Sequence, residues 1–289
     1  MSEVRSYDVV IAGGGVAGLT AGLFSARLGR STMVLVSLIP GGHLANINQI
    51  EDFPGFPQGV PGYDLGPIIQ EQAMNAGAEF AMAELQSLRR DADGWLITTP
   101  DGEIRARAVI VATGSENRPL GVPGEEEFTG RGVSHCASCD GPLLKGKKVI
   151  VAGAGDSGLQ EALTLCATAG EVLILHKDAQ PSGQAAYMKR VLEQGNIKLQ
   201  GNTEIQAILG DNVVTSVRVR DTATGTSTDL PADAVFVYIG LKANTVFLDG
   251  VADLDASGCI KTDIQLRASA PGLFAAGDVR ADSSCQAVA

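Results

Sequence analysis

The stretch Tyr7-Asp8-Val9-Val10-Ile11-Ala12-Gly13-Gly14-Gly15-Val16-Ala17-Gly18 decides the fold. An apolar strand from Tyr7 to Ala12 runs into a glycine turn, a helical stretch follows through Leu28, and a second apolar strand spans Thr32 to Val36. In a strand, glycine turn, helix and strand of this order, Gly13 permits the tight turn, Gly15 lets a pyrophosphate approach the backbone, and Gly18 allows helix and strand to pack closely. The helix N-terminus then presents free amides to the phosphates. One such motif is weak evidence, because glycines serve ordinary turns equally well.

Here the arrangement recurs. Val149 to Ala152, Gly153-Ala154-Gly155-Asp156-Ser157-Gly158, a helix to about Thr168 and a strand from Val172 to Leu175 repeat it, with Gly153 placed 140 residues after Gly13. The segments downstream of each copy are duplicated too. Trp95 to Thr99, a turn at Asp101-Gly102 and Glu103 to Ala106 lead to the buried strand and glycine Val109-Ile110-Val111-Ala112-Thr113-Gly114. Val213 to Arg220 and Thr226 to Leu230 lead likewise to Val235-Phe236-Val237-Tyr238-Ile239-Gly240. A further buried strand, Gly272-Leu273-Phe274-Ala275-Ala276-Gly277-Asp278, ends on an acid at its carboxyl end, where open α/β sheets bind ligands. Duplicated context makes the glycine motifs strong, and the fold class expected is α/β with two Rossmann-like dinucleotide-binding domains.

Composition agrees. A chain of 289 residues, 45% hydrophobic with 36 glycines, has room for two globular domains. Its net charge of -11 and lack of a basic stripe argue against a nucleic-acid partner. No apolar run reaches the roughly 18 residues that a membrane span needs. Ser2 to Tyr7 lead into the first strand without a signal-peptide core, so no membrane association and a cytoplasmic location are expected. Five cysteines, odd in number and without framework spacing, fit a reducing compartment.

Two of those cysteines stand out in Cys136-Ala137-Ser138-Cys139-Asp140. Cys-x-x-Cys serves zinc sites, structural turns and disulfide exchange alike. A closed zinc site needs four ligands, and Cys166, Cys259 and Cys285 are scattered singles with only His135 near the pair, so no metal is expected. Beside a nucleotide-type turn, a dithiol suggests redox chemistry. His135 is placed to lower the Cys136 pKa when charged, or else to point to solvent.

Taken in order, the double glycine motif, Ala112-Thr113-Gly114, Cys136-Ala137-Ser138-Cys139-Asp140-Gly141 and Gly277-Asp278 resemble the low-molecular-weight thioredoxin reductase family. Gly41-Gly42 and the loop Glu51-Asp52-Phe53-Pro54-Gly55-Phe56-Pro57 extend the resemblance over nearly the whole chain. It implies a three-layer ββα architecture in which a discontinuous FAD domain, residues 1–115 and 246–289, holds an inserted pyridine-nucleotide-type domain, residues 116–245, that carries the dithiol. Gly13, Gly15, Val16, Ala17 and Gly18 would cradle the FAD pyrophosphate, and Asp278 the ribityl chain. Gly41, Gly42, His43, Asp52, Ala112, Thr113, Gly114, Gly277, Gln286 and Ala287 would complete the flavin site, the last two at the ring. Gly153, Gly155, Asp156, Ser157, His176 and Lys177 would hold the pyridine nucleotide.

The resemblance further implies that Cys139 faces the flavin, that Cys136 attacks the partner disulfide, and that Asp140 manages the proton. The thiolate is the nucleophile and an acid must protonate the leaving thiol. The partner implied is thioredoxin or another protein or small-molecule disulfide, the assembly a homodimer, and the linkers near Glu116 to Gly121 and Gly240 to Val246 hinges.

Departures from the family pattern carry information of their own. The paired arginines that grip a 2'-phosphate are replaced by His176-Lys177-Asp178-Ala179-Gln180-Pro181-Ser182, where only Lys177 is cationic and Asp178 would repel phosphate. NADPH is disfavoured. NADH is favoured over a protein donor such as ferredoxin because the glycine turn is intact, and Gly158, where relatives often have Ala, leans the same way. His43 stands for the usual Gln, Asp52 for Asn and Cys285 for Arg, which changes the hydrogen-bond inventory near the flavin or reflects drift on a solvated loop. Ser37 follows Val36 where a ribose-binding acid is expected, and the chain stops at Ala289 where relatives continue into a helix, implying a shortened chain or weaker FAD retention. Two alternatives stay open: a dithiol oxidase passing electrons to oxygen, and a redox-sensing FAD-binding protein.

Overall fold

The computed structural model describes residues 4–288; Ser2, Glu3 and Ala289, on which parts of the sequence analysis touch, lie outside them. The chain forms two compact units, one made of the residues up to Glu116 together with those from Lys242 onward, the other of Asn117–Leu241.

In the first unit, strand Arg5–Ala12 lies between Thr32–Val36 and Gly102–Val111, parallel to both, in a seven-stranded sheet. Glu79–Met82 extends the sheet beyond Thr32–Val36. On the far side, Gly94–Thr99 pairs antiparallel with residues 102–106, and Leu273–Ala275 pairs parallel with residues 109–111. The apolar pattern of the sequence divides Gly102–Val111 into two pieces, whereas the structure has one ten-residue strand. Its partner on that edge changes midway, so the apolar pattern changes with it. Strands buried on both faces read as continuous apolar runs, and all five residues of Thr32–Val36 are buried. One face packs Val10, Met33, Leu35, Ile97, Val109 and Leu273 into a core. The other receives Ile11, Val34 and Val36 against Ala17 and Ala21 of the helix Val16–Arg27.

The second unit repeats the plan. Lys148–Ala152 lies between Glu171–Leu175 and Ala234–Val237, all parallel, in a five-stranded sheet. Because side chains alternate across a strand, Val149, Val151, Ile174 and Phe236 pack on one face against the helices Asp156–Leu165 and Ala185–Leu192. Ile150, Ala152, Val235 and Val237 pack on the other against the antiparallel strands Thr203–Gly210, Val214–Asp221 and Ser227–Pro231. Helices, parallel sheet and antiparallel sheet are the three layers of an α/β dinucleotide-binding unit. The helix expected to reach Thr168 ends at Leu165. Among the described residues no helix is long and apolar enough to cross a membrane.

Candidate functional site

Each glycine turn sits at the carboxyl end of a strand with neighbours running away on both sides, the switch point where such sheets bind ligands. At the first turn, Gly13 has φ +119°, and a Cβ there would lie 2.1 Å from the Ala112 carbonyl oxygen. A Cβ at Gly18 would lie 1.9 Å from the Gly13 oxygen, so backbone approaches backbone there. At Gly15 a Cβ would meet nothing within 4 Å. Gly15 caps the helix without a side-chain hydrogen bond, and no acid lies in the first turn. Those amides are therefore free for an anion.

Distant residues close around this turn. Gly41 donates its N–H to the Gly14 oxygen at 2.8 Å, and a Cβ on Gly42 would lie 3.3 Å from the Gly15 Cα. Gly277 has φ +75°, and a Cβ there would meet Ala17 at 2.8 Å, which sets Asp278 beside the helix start. Ser283 Oγ donates to Asp278 at 3.1 Å. His43 opens to solvent, yet desolvation by the protein around its ring lowers its pKa, and the nearby Asp278 carboxylate opposes that by less. The Cys285 thiol is pushed up, first by desolvation and then by Asp278. Gln286 and Ala287 are half-buried, while Asp52 is exposed on its loop. Ala112-Thr113-Gly114 is clamped by Asn244, whose side-chain N–H donates to the Thr113 carbonyl at 3.0 Å while its own carbonyl accepts from Thr113 Oγ1 at 2.8 Å. Sequence reasoning missed Asn244, which lies 131 residues from its partner. An open cradle at Gly15, uncapped amides and an acid for a polyol chain fit FAD.

At the second turn Gly153 has φ +111°, with a virtual Cβ 2.1 Å from the Tyr238 oxygen. A Cβ on Gly158 would lie 2.1 Å from the Gly153 oxygen, whereas one on Gly155 would meet only Ser182 Oγ at 3.7 Å. The Asp156 carboxylate accepts from the Gln184 amide nitrogen at 2.7 Å and from its side chain at 2.8 Å, and Ser157 is exposed. His176 is buried with Nδ1 lacking a hydrogen-bond partner among the described residues. Lys177 is exposed, and its ammonium lies 3.5 Å from Glu204, which offsets the single positive charge of this stretch. Asp178 is also exposed.

Between the strand Val133–Ser134 and the helix Ala137–Asp140, Cys136 is joined to Cys139 in a disulfide with a Cα separation of 5.3 Å. Cys136 caps the helix, its Sγ accepting the Cys139 N–H at 3.2 Å. Ser134 Oγ accepts the Cys136 N–H at 3.1 Å, and the Cys136 carbonyl accepts from the Asp140 amide at 3.1 Å. Cys139 is exposed, Cys136 and Asp140 half-buried. His135 Nδ1 lies 3.3 Å from the Val237 carbonyl, which orients its ring. Cys166, Cys259 and Cys285 form no disulfide, and no group of residues suited to a metal ion occurs among the described residues.

Behind the disulfide lie two residues that sequence reasoning missed, Glu161 and Tyr238. Desolvation pushes the Glu161 pKa up to about 7, and the nearby Ala137 backbone N–H opposes that by less. The buried Tyr238 phenol is pushed up strongly, by desolvation first and by Glu161 next. The signal was present: the helix Asp156–Leu165 buries Gly158, Leu159, Ala162 and Leu165, and Glu161 is an acid in that inward phase.

Comparison with known proteins agrees with this geometry. Residues 7–289 match the family of pyridine nucleotide-disulphide oxidoreductases. The chain is 39% identical to a thioredoxin reductase of Treponema pallidum over 282 residues, 98% of this chain and 92% of that protein. It is 36% identical to the thioredoxin reductase of Bacillus subtilis over 289 residues, covering 100% and 91% of the two. The crystal structure of Lactococcus lactis thioredoxin reductase superposes with a TM-score of 0.94 at 34% identity, over 97% of this chain and 93% of that one. With two glycine turns at switch points and a disulfide in the inserted unit, the chain belongs to the pyridine nucleotide-disulphide oxidoreductases and, among them, to the low-molecular-weight thioredoxin reductases, which are flavoprotein disulfide oxidoreductases.

Proposed function

We propose that this protein passes electrons from NADH through FAD to the Cys136–Cys139 disulfide, and from the resulting dithiol to thioredoxin or another disulfide. The observation that carries the reading is the disulfide itself, seated in the unit that also carries a nucleotide-type turn. Residues 1–115 and 246–289 are assigned to FAD, with Gly13, Gly15, Gly18, Gly41, Gly42 and Asp278 around it, and residues 116–245 to the nicotinamide cofactor. FAD, when bound, supplies the two-electron link between nicotinamide and sulfur. In the reduced couple, Cys136 keeps the Cys139 N–H as a hydrogen-bond donor, which favours its thiolate and suits it to attack the partner disulfide. Cys139 then serves as the sulfur facing the flavin, and Asp140 handles the proton of the departing thiol. The name thioredoxin reductase borne by the relatives supports thioredoxin as the acceptor.

NADH rather than NADPH follows from charge. The 2'-phosphate would meet one lysine already paired with Glu204 and the exposed carboxylate of Asp178, whereas a ribose hydroxyl could donate to that carboxylate. Anaerobic stopped-flow mixing of the FAD-loaded protein tests both choices. NADH is expected to bleach the flavin at least tenfold faster than NADPH, and Cys139→Ser is expected to keep that bleaching but lose disulfide turnover by several orders of magnitude. A variant that still reduces disulfide would defeat the dithiol relay. Bleaching by neither nucleotide would leave a protein donor, and steady peroxide formation from added dithiols would reverse the direction of flow.

A further inference from the structure

Glu161 is half-buried, in phase with the inward residues Gly158 and Leu165 of the helix Asp156–Leu165, and the backbone N–H of Ala137, between the two redox sulfurs, acts on its carboxyl. Ala137 is itself buried. Its Oε2 atom is buried with no hydrogen-bond partner among the described residues. The groups around it are of one kind. Tyr238 brings a buried hydroxyl on which the Ala137 backbone also acts, and Asp140, on the disulfide helix, brings a second carboxylate that acts on the same phenol. The strands beneath, Lys148–Ala152 and Glu171–Leu175, are charged only at their first residues, Lys148 and Glu171, and helix Ala185–Leu192 carries Lys189 and Arg190 exposed. None of these cations contributes to the Glu161 environment, so burial dominates and raises its pKa to about 7.

A carboxylate in this position is one residue from Cys136, where negative charge appears when the disulfide is reduced. We propose that Glu161 is a positioning residue for the dithiol: it takes up a proton as the disulfide is reduced, so that Cys136 remains a thiolate beside a neutral carboxyl. This rests on the reading of Cys136–Cys139 as a redox couple. The step balances. Two electrons from the nicotinamide cofactor break the S–S bond, one proton from solvent ends on the Cys139 sulfur, a second ends on the Glu161 carboxylate, and the negative charge that left Glu161 reappears on Cys136. Two like charges flanking one buried backbone amide disfavour each other in a desolvated site, so on this proposal thiolate and carboxyl titrate as a coupled pair.

The test is a redox titration of the FAD-loaded protein in dithiol buffers between pH 8 and pH 9, where Glu161 of the oxidised protein is ionised, with the disulfide fraction counted by alkylation and mass. Two protons per two electrons are expected for the native protein and one for Glu161→Gln, whose amide oxygen can still accept from Ala137. The variant's reduction equilibrium should therefore depend on pH tenfold less steeply per pH unit, which is 29.6 mV per unit for a two-electron couple. Equal slopes overturn the proposal, and so does a constant offset shared by Glu161→Gln and Glu161→Ala, because lost packing alone would give that. A second measurement needs no variant. The infrared difference spectrum of native protein, reduced minus oxidised at pH 7.5, should gain a protonated-carboxyl band that moves on labelling glutamate with carbon-13, and its absence overturns the proposal. A disulfide that no buffer reduces would instead refute the redox reading itself.

Discussion

Gly15 and Gly18 lie three residues apart in one turn, yet a methyl group would meet different surroundings at each. At Gly18 it would enter the Gly13 carbonyl at 1.9 Å, so the helix must shift from the strand, an overpacking cost of about 1–3 kcal/mol. At Gly15 the backbone, φ -72°, suits alanine and the space is open. Gly15→Ala is therefore expected to leave the apoprotein within about 1 kcal/mol of native stability, since only a helix cap changes, while FAD affinity falls at least tenfold. Gly18→Ala should lower both. Urea unfolding of the apoproteins and FAD titration check the pair, and Gly15→Ala binding FAD normally would remove the pyrophosphate from that cradle. The roles of these glycines were legible because they are demands of the local backbone. The Asn244 clamp on Thr113 was not, because nothing in the residues near Asn244 records which distant carbonyl it will meet.

At the scale of elements, the helix Asp156–Leu165 joins the second glycine turn to the disulfide, and its half-buried, desolvated acid should show in stability. An ordinary glutamate near 4.5 loses its proton in the unfolded chain, whereas native Glu161 holds it to about 7. Between those values the native state binds more protons, so this group makes stability fall as pH rises from about 4.5 to about 7, with no further change above. The difference of roughly 2.5 pKa units corresponds to at most about 3–4 kcal/mol. Glu161→Gln lacks the titration. Relative to the native protein, the oxidised variant should gain up to that amount between pH 4.5 and pH 7.5 in urea unfolding, and parallel pH profiles would contradict it. Strands such as Thr32–Val36 were legible from unbroken apolar runs. Gly102–Val111 was legible only in part, because its partner on one edge changes from Gly94–Thr99 to Leu273–Ala275 and with it the side-chain pattern. Glu161 was legible only as a position three residues after Gly158 and four before Leu165, on the inward side of the helix, because its role depends on Ala137 and Tyr238, which meet it only in the fold.

For the molecule as a whole, the duplicated strand, turn and helix pattern made two units legible, while their point of junction depended on pairing that sequence does not record. The chain leaves the first unit through Ser115–Asn117 and returns through Leu241–Ala243, and these segments form a two-stranded sheet. Asn244 donates to the Gly114 carbonyl at 3.0 Å and Arg118 to the Gly240 carbonyl at 2.9 Å, so the register runs in opposite directions, as in a hairpin. Lys242 and Glu116 add an exposed ion pair at 3.1 Å, worth little in energy. Hairpin ends so close can be joined by a two-residue turn, for which Asn-Gly is well suited. Each unit also has its own apolar clusters, so neither needs the other to bury a core. Replacing residues 119–239 by Asn-Gly is therefore expected to give a folded protein that retains FAD through gel filtration, unfolds in one cooperative urea transition and has no disulfide reductase activity. FAD in hundredfold excess over its Kd should raise that protein's stability by about 2.7 kcal/mol, as for any ligand held by the native state alone. A shortened protein that aggregates, or folds but releases FAD, would show that the first unit is not an independent flavin-binding body and that residues of Asn117–Leu241 contribute to holding the cofactor.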